Sequence, residues 1–124
     1  MSSLYKQIII DHYKNPRNWG SCTECNHSHT EHNSSCGDSI FVSVLTDDKD
    51  KVIDIKFTGE GCAISLAGAS ILYEKLIGKS VQEVMNFPEA EMLKLISMRE
   101  SSGRLKCGLI GLKAIQNALN VKEE

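Results

Sequence analysis

Residues 57–65 place a cysteine on a glycine-rich turn, where it could serve as a metal ligand or a nucleophile. A strand pattern ends at Thr58, and Gly59 and Gly61 allow a sharp turn because glycine has no Cβ. Cys62 then falls in what the pattern predicts to be the first turn of a helix. The unpaired N–H groups at a helix start favour a thiolate and lower the pKa of a cysteine there. We therefore expect Cys62 to carry the chemistry, together with whatever lies opposite it.

Three further residues with metal-binding side chains lie at junctions between predicted elements. Cys36 and Asp38 introduce a strand, and Cys107 stands between a loop and the last predicted helix. If the two strands flanking the short loop at residues 47–51 form an antiparallel hairpin, the start of the first adjoins the end of the second. That pairing brings Cys36 and Asp38 close to Cys62. Cys107 completes the group if the last helix begins at the same edge of the sheet, and we expect all four residues to meet at one accessible rim of the molecule.

Three thiolates and one carboxylate form a tetrahedral donor set that suits Zn²⁺, or iron in a cluster. A carboxylate binds soft iron more weakly than a thiolate does, so such a site suits a cargo that must later be released. Arg104 and Lys106 flank Cys107 and could offset the negative charge or guide an incoming anionic group. The alternatives are a structural zinc site, buried inert cysteines, and ordinary solvated charges at Arg104 and Lys106.

Apolar periodicity predicts the elements that must position this group. Alternation predicts strands at Asp38–Leu45 and Val52–Thr58, with Ile40, Val42 and Val44 on one face of the first and Ile53, Ile55 and Phe57 on one face of the second. Helices are predicted at Leu4–Lys14, at Ala63–Ile77, after a capping box at Ser80–Glu83, from Pro88 to about Met98, and at Cys107–Leu119. We expect the small residues of Ala63–Ile77 to allow close packing against the sheet.

Composition limits the class of protein. With 124 residues, 41% hydrophobic and 24% charged, the chain predicts one globular domain over residues 1–124. A net charge of -2 and a pI near 6.1 argue against nucleic-acid binding. No stretch approaches the ~20 apolar residues of a membrane span. The amino terminus lacks the layout of a secretion signal, so we expect a cytoplasmic location. Five cysteines in such a compartment favour metal or thiol chemistry over a disulfide framework.

The polar stretch at residues 21–35 is the hardest part of the chain to interpret. Cys22 and Cys25 have zinc-ligand spacing, and His27, His29 and His32 lie nearby. One such pair with neighbouring histidines is a weak metal signal. We expect a solvated loop and an exposed edge strand, whose thiols could scavenge metal or form a Cys22–Cys25 disulfide.

Four motifs, in order, resemble those of the U-type iron–sulfur scaffold family, which comprises IscU, SufU and the N-terminal domain of NifU. They are Leu-Tyr-x-x-Ile-x-x-Asp-His-Tyr-x-Asn-Pro-Arg-Asn-x-Gly from Leu4, Cys-Gly-Asp at 36–38, Gly-x-Gly-Cys-Ala-Ile-Ser at 59–65, and Arg-x-Lys-Cys at 104–107. The resemblance covers residues 4–119. It implies a compact α+β fold with a three-stranded antiparallel sheet packed against four to five helices.

The resemblance also implies a function. A labile [2Fe–2S] or related cluster would assemble at Cys36, Cys62 and Cys107, with sulfur from a cysteine desulfurase, and pass to apo iron–sulfur proteins. Asp38 would hold the position whose carboxylate eases cluster release, and zinc or iron would occupy the cluster-free site. Such a protein is a carrier rather than an enzyme.

Three departures from the family pattern keep a second function open. IscU-type members have His where this chain has Lys106. SufU-type members share Arg-x-Lys-Cys but carry an insertion before it that this chain lacks. The Leu-Pro-Pro-x-Lys docking segment of IscU is replaced by residues 100–103, which argues against dependence on an Hsp70-type chaperone. The alternative is a SufU-type, zinc-dependent sulfur acceptor in which Cys107 takes persulfide sulfur from the desulfurase, with Arg104 and Lys106 in support. A small zinc-stabilised interaction module is a third possibility.

Overall fold

The computed structural model describes residues 3–34 and 37–120. Within these ranges the chain forms three strands and five helices, which confirms the predicted α+β class and the three-stranded antiparallel sheet. The strands are β1 (His27–Asn33), β2 (Asp38–Thr46) and β3 (Val52–Glu60). The helices are α1 (Ser3–Lys14), α2 (Ala63–Leu76), α3 (Val81–Met85), α4 (Glu89–Leu95) and α5 (Leu105–Leu119).

The sheet has the order β1-β2-β3, and its inner face is covered chiefly by α5. The predicted inward residues of β2, namely Ile40, Val42 and Val44, are fully buried there, whereas Phe41 remains exposed on the outer face. Alternating burial is what a half-covered strand requires, because successive side chains point to opposite faces. The hydrophobic core therefore lies between this face and the helices.

The prediction for β3 was wrong at one residue. Ile55 and Phe57 are fully buried, but Ile53 is exposed and Val52 takes its place in the core. The cause is a register shift, because Leu45 pairs with Asp54 while Thr46 pairs with Val52. The shift leaves Ile53 without a partner across the ladder and reverses the alternation at the start of the strand.

Helix α2 lies between α1 and α5, and it contacts the sheet less than we expected. Small residues on both helices, Ala69 of α2 and Gly111 of α5, allow the two helices to approach closely. A Cβ on Gly111 would lie only 3.0 Å from the Cα of Ala69. Tyr73 is fully buried and its hydroxyl donates a hydrogen bond to the carbonyl oxygen of Gly111 at 2.7 Å. The ring of Tyr73 also packs edge-on against Phe57. These contacts fix α2 relative to both α5 and β3.

Most helix boundaries agree with the sequence signals. The capping box at Ser80 and Glu83 is present, and Gly78 takes a positive φ of 97° just after α2. Helix α4 is shorter than predicted, because it ends at Leu95 and Ser97 has a positive φ of 56°. Pro88 is the N-cap of α4 rather than its first helical residue.

A buried histidine joins α1 to α2. The Nδ1 atom of His12 lies 2.7 Å from the hydroxyl of Ser70, which also accepts a hydrogen bond from the backbone N–H of Arg17. Burial lowers the pKa of His12, and the nearby positive charge of Arg17 lowers it further. The folded protein therefore favours the neutral imidazole.

This pKa shift predicts that stability falls in mild acid. The unfolded chain, with a His12 pKa near the ordinary 6.5, takes up the proton before the folded chain does. The contribution of neutral His12 to the free energy of unfolding is complete above pH 6.5. It is lost as the pH falls toward the lower pKa of His12 in the folded protein. Urea unfolding of metal-free protein at several pH values measures how the free energy of unfolding depends on pH. We expect His12→Asn to flatten this dependence, because the substituted side chain does not take up a proton in this pH range. Equal slopes in His12→Asn and the unsubstituted protein would contradict this.

Candidate metal centre

Three of the four predicted ligands meet at one point. One donor atom from each of Asp38, Cys62 and Cys107 lies within 4.8 Å of the other two. The fourth, Cys36, lies outside the described residues. Two thiols and a carboxylate at this separation are a donor set of the kind that binds zinc or iron.

The hairpin accounts for the meeting of Asp38 and Cys62, as the sequence predicted. Asp38 is the first residue of β2, and Cys62 follows the end of β3 as the N-cap of α2. Ser39 pairs with Glu60, which sets the two chain segments side by side. Cys107 arrives from the first turn of α5, the helix that covers the inner face of the sheet.

The two glycines of the turn are required by close approach. A Cβ on Gly59 would overlap the carbonyl oxygen of Ser39, so any larger residue would push β3 away from β2. A Cβ on Gly61 would overlap the carboxylate of Asp38 and lie 2.6 Å from the hydroxyl of Ser65. The glycine-rich turn therefore lets the backbone lie directly against the carboxylate.

Asp38 is buried, with 2% of its surface exposed, and its two oxygens have different surroundings. Oδ1 accepts a hydrogen bond from the backbone N–H of Cys62 at 3.2 Å. Oδ2 is buried and has no hydrogen-bond partner within the part of the chain described. Buried polar atoms nearly always have a partner, and a buried carboxylate needs a compensating positive charge. A cation held with the two thiols would satisfy both requirements, so these residues fit a metal.

The environment of Cys62 favours its thiolate. Burial is the largest single influence and opposes ionisation, but hydrogen bonds from the Ser65 and Ile64 backbone, the Ser65 hydroxyl and the Arg104 guanidinium together lower the pKa of Cys62. The same contact with Cys62 raises the pKa of Arg104. The sequence alone predicts no separate role for Ser65. Its position three residues after the N-cap could have indicated one, because such a residue lies in the same helical turn as Cys62.

Cys107 differs from its predicted position. Helix α5 begins at Leu105, so Cys107 is the third residue of the helix rather than the first. It is 2% exposed, whereas Cys62 is half-buried. We expected an accessible rim for all of the ligands. The structure instead exposes the centre mainly on the side of Cys62 and the exposed Arg104.

The two predicted supporting cations also differ in position. The guanidinium of Arg104 contacts Cys62 and acts electrostatically on Cys107 as well. Lys106 is exposed and lines a neighbouring cavity with Asn33 and Lys113. Arg104 is thus the cation placed to balance the charge of the thiolates.

The contact with Arg104 predicts the reactivity of Cys62. Arg104→Gln should raise the pKa of Cys62 and slow its alkylation by iodoacetamide near neutral pH by several-fold, because only the thiolate reacts. The rate is measured against pH in metal-free protein, with mass spectrometry to locate the modified cysteine. Lys106→Gln is the matched control, since it removes one positive charge without removing that contact. Equal pH profiles for the two variants would contradict the assignment.

The Cys22–Cys25 pair forms a disulfide in this structure, one of the outcomes expected from its spacing, and does not form a zinc site there. The neighbouring edge strand β1 is confirmed, but its inward side chains are not simply solvated. Glu31 accepts hydrogen bonds at 2.8 Å from His29 and from Asn117 of α5. Glu31 therefore links the polar strand to α5, and His29 of the same strand bonds to that carboxylate.

Among the described residues, no helix is both long and apolar enough to cross a lipid bilayer.

Comparison with known proteins gives a consistent result. The family model for the NifU-like N-terminal domain matches residues 4–123. A relative from Bacillus subtilis (strain 168), named zinc-dependent sulfurtransferase SufU, is 32% identical over 141 residues, covering 100% of this chain and 94% of the relative. A relative from Streptococcus pyogenes serotype M1, named iron-sulfur cluster assembly scaffold protein IscU, is 29% identical, covering 96% of this chain and 84% of the relative.

A solved structure has the same fold. It is described as a putative iron-sulfur cluster assembly scaffold protein for the SUF system from Fervidobacterium islandicum AW-1. It superimposes with a TM-score of 0.81 at 29% sequence identity, covering 97% of this chain and 100% of that one.

Proposed function

The chain belongs to the NifU-like N-terminal domain family, and from that premise we propose that it is a scaffold on which iron–sulfur clusters are assembled. The observation that carries the proposal is the buried Oδ2 of Asp38, which has no hydrogen-bond partner among residues 3–34 and 37–120 and lies beside the thiols of Cys62 and Cys107. A cation bound there would complete the hydrogen bonding and charge balance of the group.

In this proposal, Cys36, Cys62 and Cys107 supply thiolates to a labile [2Fe–2S] cluster, and Asp38 supplies the fourth, more exchangeable ligand. The iron and sulfur are cargo. The sulfur comes from a cysteine desulfurase, and the finished cluster passes to apo iron–sulfur proteins in the cytoplasm. Arg104 stabilises the anionic ligands before iron arrives and attracts anionic sulfur to the exposed side of the centre.

The test is anaerobic reconstitution with ferrous iron, cysteine and a desulfurase. A scaffold should develop sulfur-to-iron charge-transfer absorption, with iron and acid-labile sulfide bound in equal amounts. Protein purified anaerobically should be analysed in parallel for iron, zinc and sulfide. Failure to take up colour under conditions that load a known scaffold would reject the proposal.

A second function is favoured by the Arg104 guanidinium, which acts electrostatically on Cys107, and by the 32% identity to a relative named zinc-dependent sulfurtransferase. In that case Asp38, Cys62 and Cys107 would hold zinc, which would keep the sulfur of Cys107 in its thiolate form. The Cys107 thiolate would attack the outer sulfur of a desulfurase persulfide, forming a persulfide on Cys107 and releasing the desulfurase cysteine as a thiolate.

Desulfurase turnover separates these functions. A sulfur acceptor loaded with zinc should raise turnover many-fold, whereas a scaffold should have a modest effect. Bound zinc with no cluster and no effect on turnover would instead indicate an interaction module.

A further inference from the structure

A cavity of about 230 Å³ lies beside the metal centre, between the end of β1 and helix α5. Glu31, His32 and Asn33 line it from the strand, and Lys106 and Lys113 line it from the helix. A space of this size has room for several water molecules or one small organic ion. None of the functions above makes use of it.

One residue that lines the cavity has a buried side-chain amide. Asn33 is 8% exposed, and its Nδ2 atom has no hydrogen-bond partner within the described ranges. An amide nitrogen carries two donors, and buried donors are rarely left unpaired in folded proteins. Asn33 pairs with Asp38 across β1 and β2, so the cavity adjoins the centre through this pair. An acceptor in the cavity would satisfy the amide.

The charges of the lining favour an anion as that acceptor. Lys106 and Lys113 bring two ammonium groups. The one carboxylate, Glu31, already accepts hydrogen bonds through Oε1 from His29 and Asn117. Lys113 also pairs with Glu89, but at 3.7 Å and with both side chains more than half exposed. Exposed ion pairs of this kind contribute little to folding stability, so Lys113 can exchange Glu89 for a ligand.

We propose that this cavity binds a small dianion through the Asn33 amide and the ammonium groups of Lys106 and Lys113. The wall formed by Ile110 suits the carbon chain of a dicarboxylate, and the clustered donors also suit inorganic phosphate. The inference does not depend on the cluster-assembly proposal, because the site is built without the metal ligands.

The test is an NMR titration of metal-free protein with inorganic phosphate and, separately, with succinate. We expect saturable shifts of the Asn33 side-chain amide and of the backbone amides of residues 31–34. Lys113→Gln should weaken binding at least about fivefold, and Asn33→Ala should do the same. Lys94→Gln is the matched control, because Lys94 is an exposed lysine on α4 that also pairs with a glutamate. It should leave the affinity unchanged within twofold.

Saturation by phosphate alone identifies the site as one for inorganic anions, and saturation by succinate alone identifies a dicarboxylate site. Either result, with the expected effect of Lys113→Gln, supports the proposal. Shifts that rise linearly with anion concentration, or an equal loss of affinity in Lys94→Gln, would overturn it. Because metal is absent throughout, neither result bears on the proposed scaffold function.

Discussion

Replacing Cys62 by serine should abolish cluster assembly. Cys62 provides the half-buried thiol of the centre, and its pKa is lowered by contacts from Ser65 and Arg104. A serine hydroxyl stays protonated at neutral pH and is a poor ligand for iron. Substitution of a residue that only contacts a metal ligand typically lowers metal affinity or activity by about 10–100-fold. Loss of a direct ligand should therefore reduce bound iron and sulfide at least tenfold, as measured by charge-transfer absorption and chemical analysis.

The chain provides a matched control for this prediction. Cys22 and Cys25 form a disulfide in the loop before β1, and neither is among the residues that meet at the centre. The double variant Cys22→Ser/Cys25→Ser removes two sulfurs and should still assemble a cluster. Circular dichroism would verify that both proteins fold. A Cys62→Ser variant that assembles as much cluster as the double variant would remove Cys62 from the ligand set.

The convergence of Asp38 and Cys62 could be predicted because it depends on local rules. Two alternating strands and a short polar loop specify an antiparallel hairpin, and the ends of a hairpin are adjacent. The position of Cys107 depends instead on how α5 packs. The periodicity of α5 predicts which of its faces is apolar. It does not predict how deeply Cys107 is buried when that face packs against the sheet.

The error in β3 and the contact of β1 that was not predicted have different causes. Ile53 fits an alternating pattern, and only the pairing of β2 with β3 reveals the shift that exposes it. The polar residues of β1 suggested only solvent, because the partner of Glu31 is Asn117 of α5, which lies far along the chain. Polar residues that meet across a long separation leave no periodic signal in either segment.

Burial of Asp38 could not be predicted from its residue type, since aspartate is usually exposed. In the structure this carboxylate is buried, and one of its oxygens accepts a hydrogen bond from the N–H of Cys62. The other oxygen has no partner among the residues that the structure describes. It therefore serves two purposes. It fixes the turn that carries Cys62, and it offers the centre an oxygen that binds iron less strongly than sulfur does.

These two purposes can be separated by substitution, and Asp38→Ala should prolong the life of an assembled cluster. Removing the exchangeable carboxylate removes the ligand that gives way most readily to an incoming acceptor. Its hydrogen bond to the Cys62 N–H is lost as well, at a cost of about 1–3 kcal/mol in folding stability. The measurements are the decay of charge-transfer absorption in air, the rate of transfer to an apo-ferredoxin, and urea unfolding of the metal-free protein.

Asp38→Asn is the companion variant, because its amide oxygen can keep the hydrogen bond to Cys62 while the negative charge is removed. Slower decay and slower transfer in both variants, with the greater loss of folding stability in Asp38→Ala alone, would assign release to the carboxylate and turn geometry to the hydrogen bond. Cluster loss as fast as in the unsubstituted protein, in both variants, would mean that Asp38 does not govern release. The carboxylate would then act only by holding Cys62 in place.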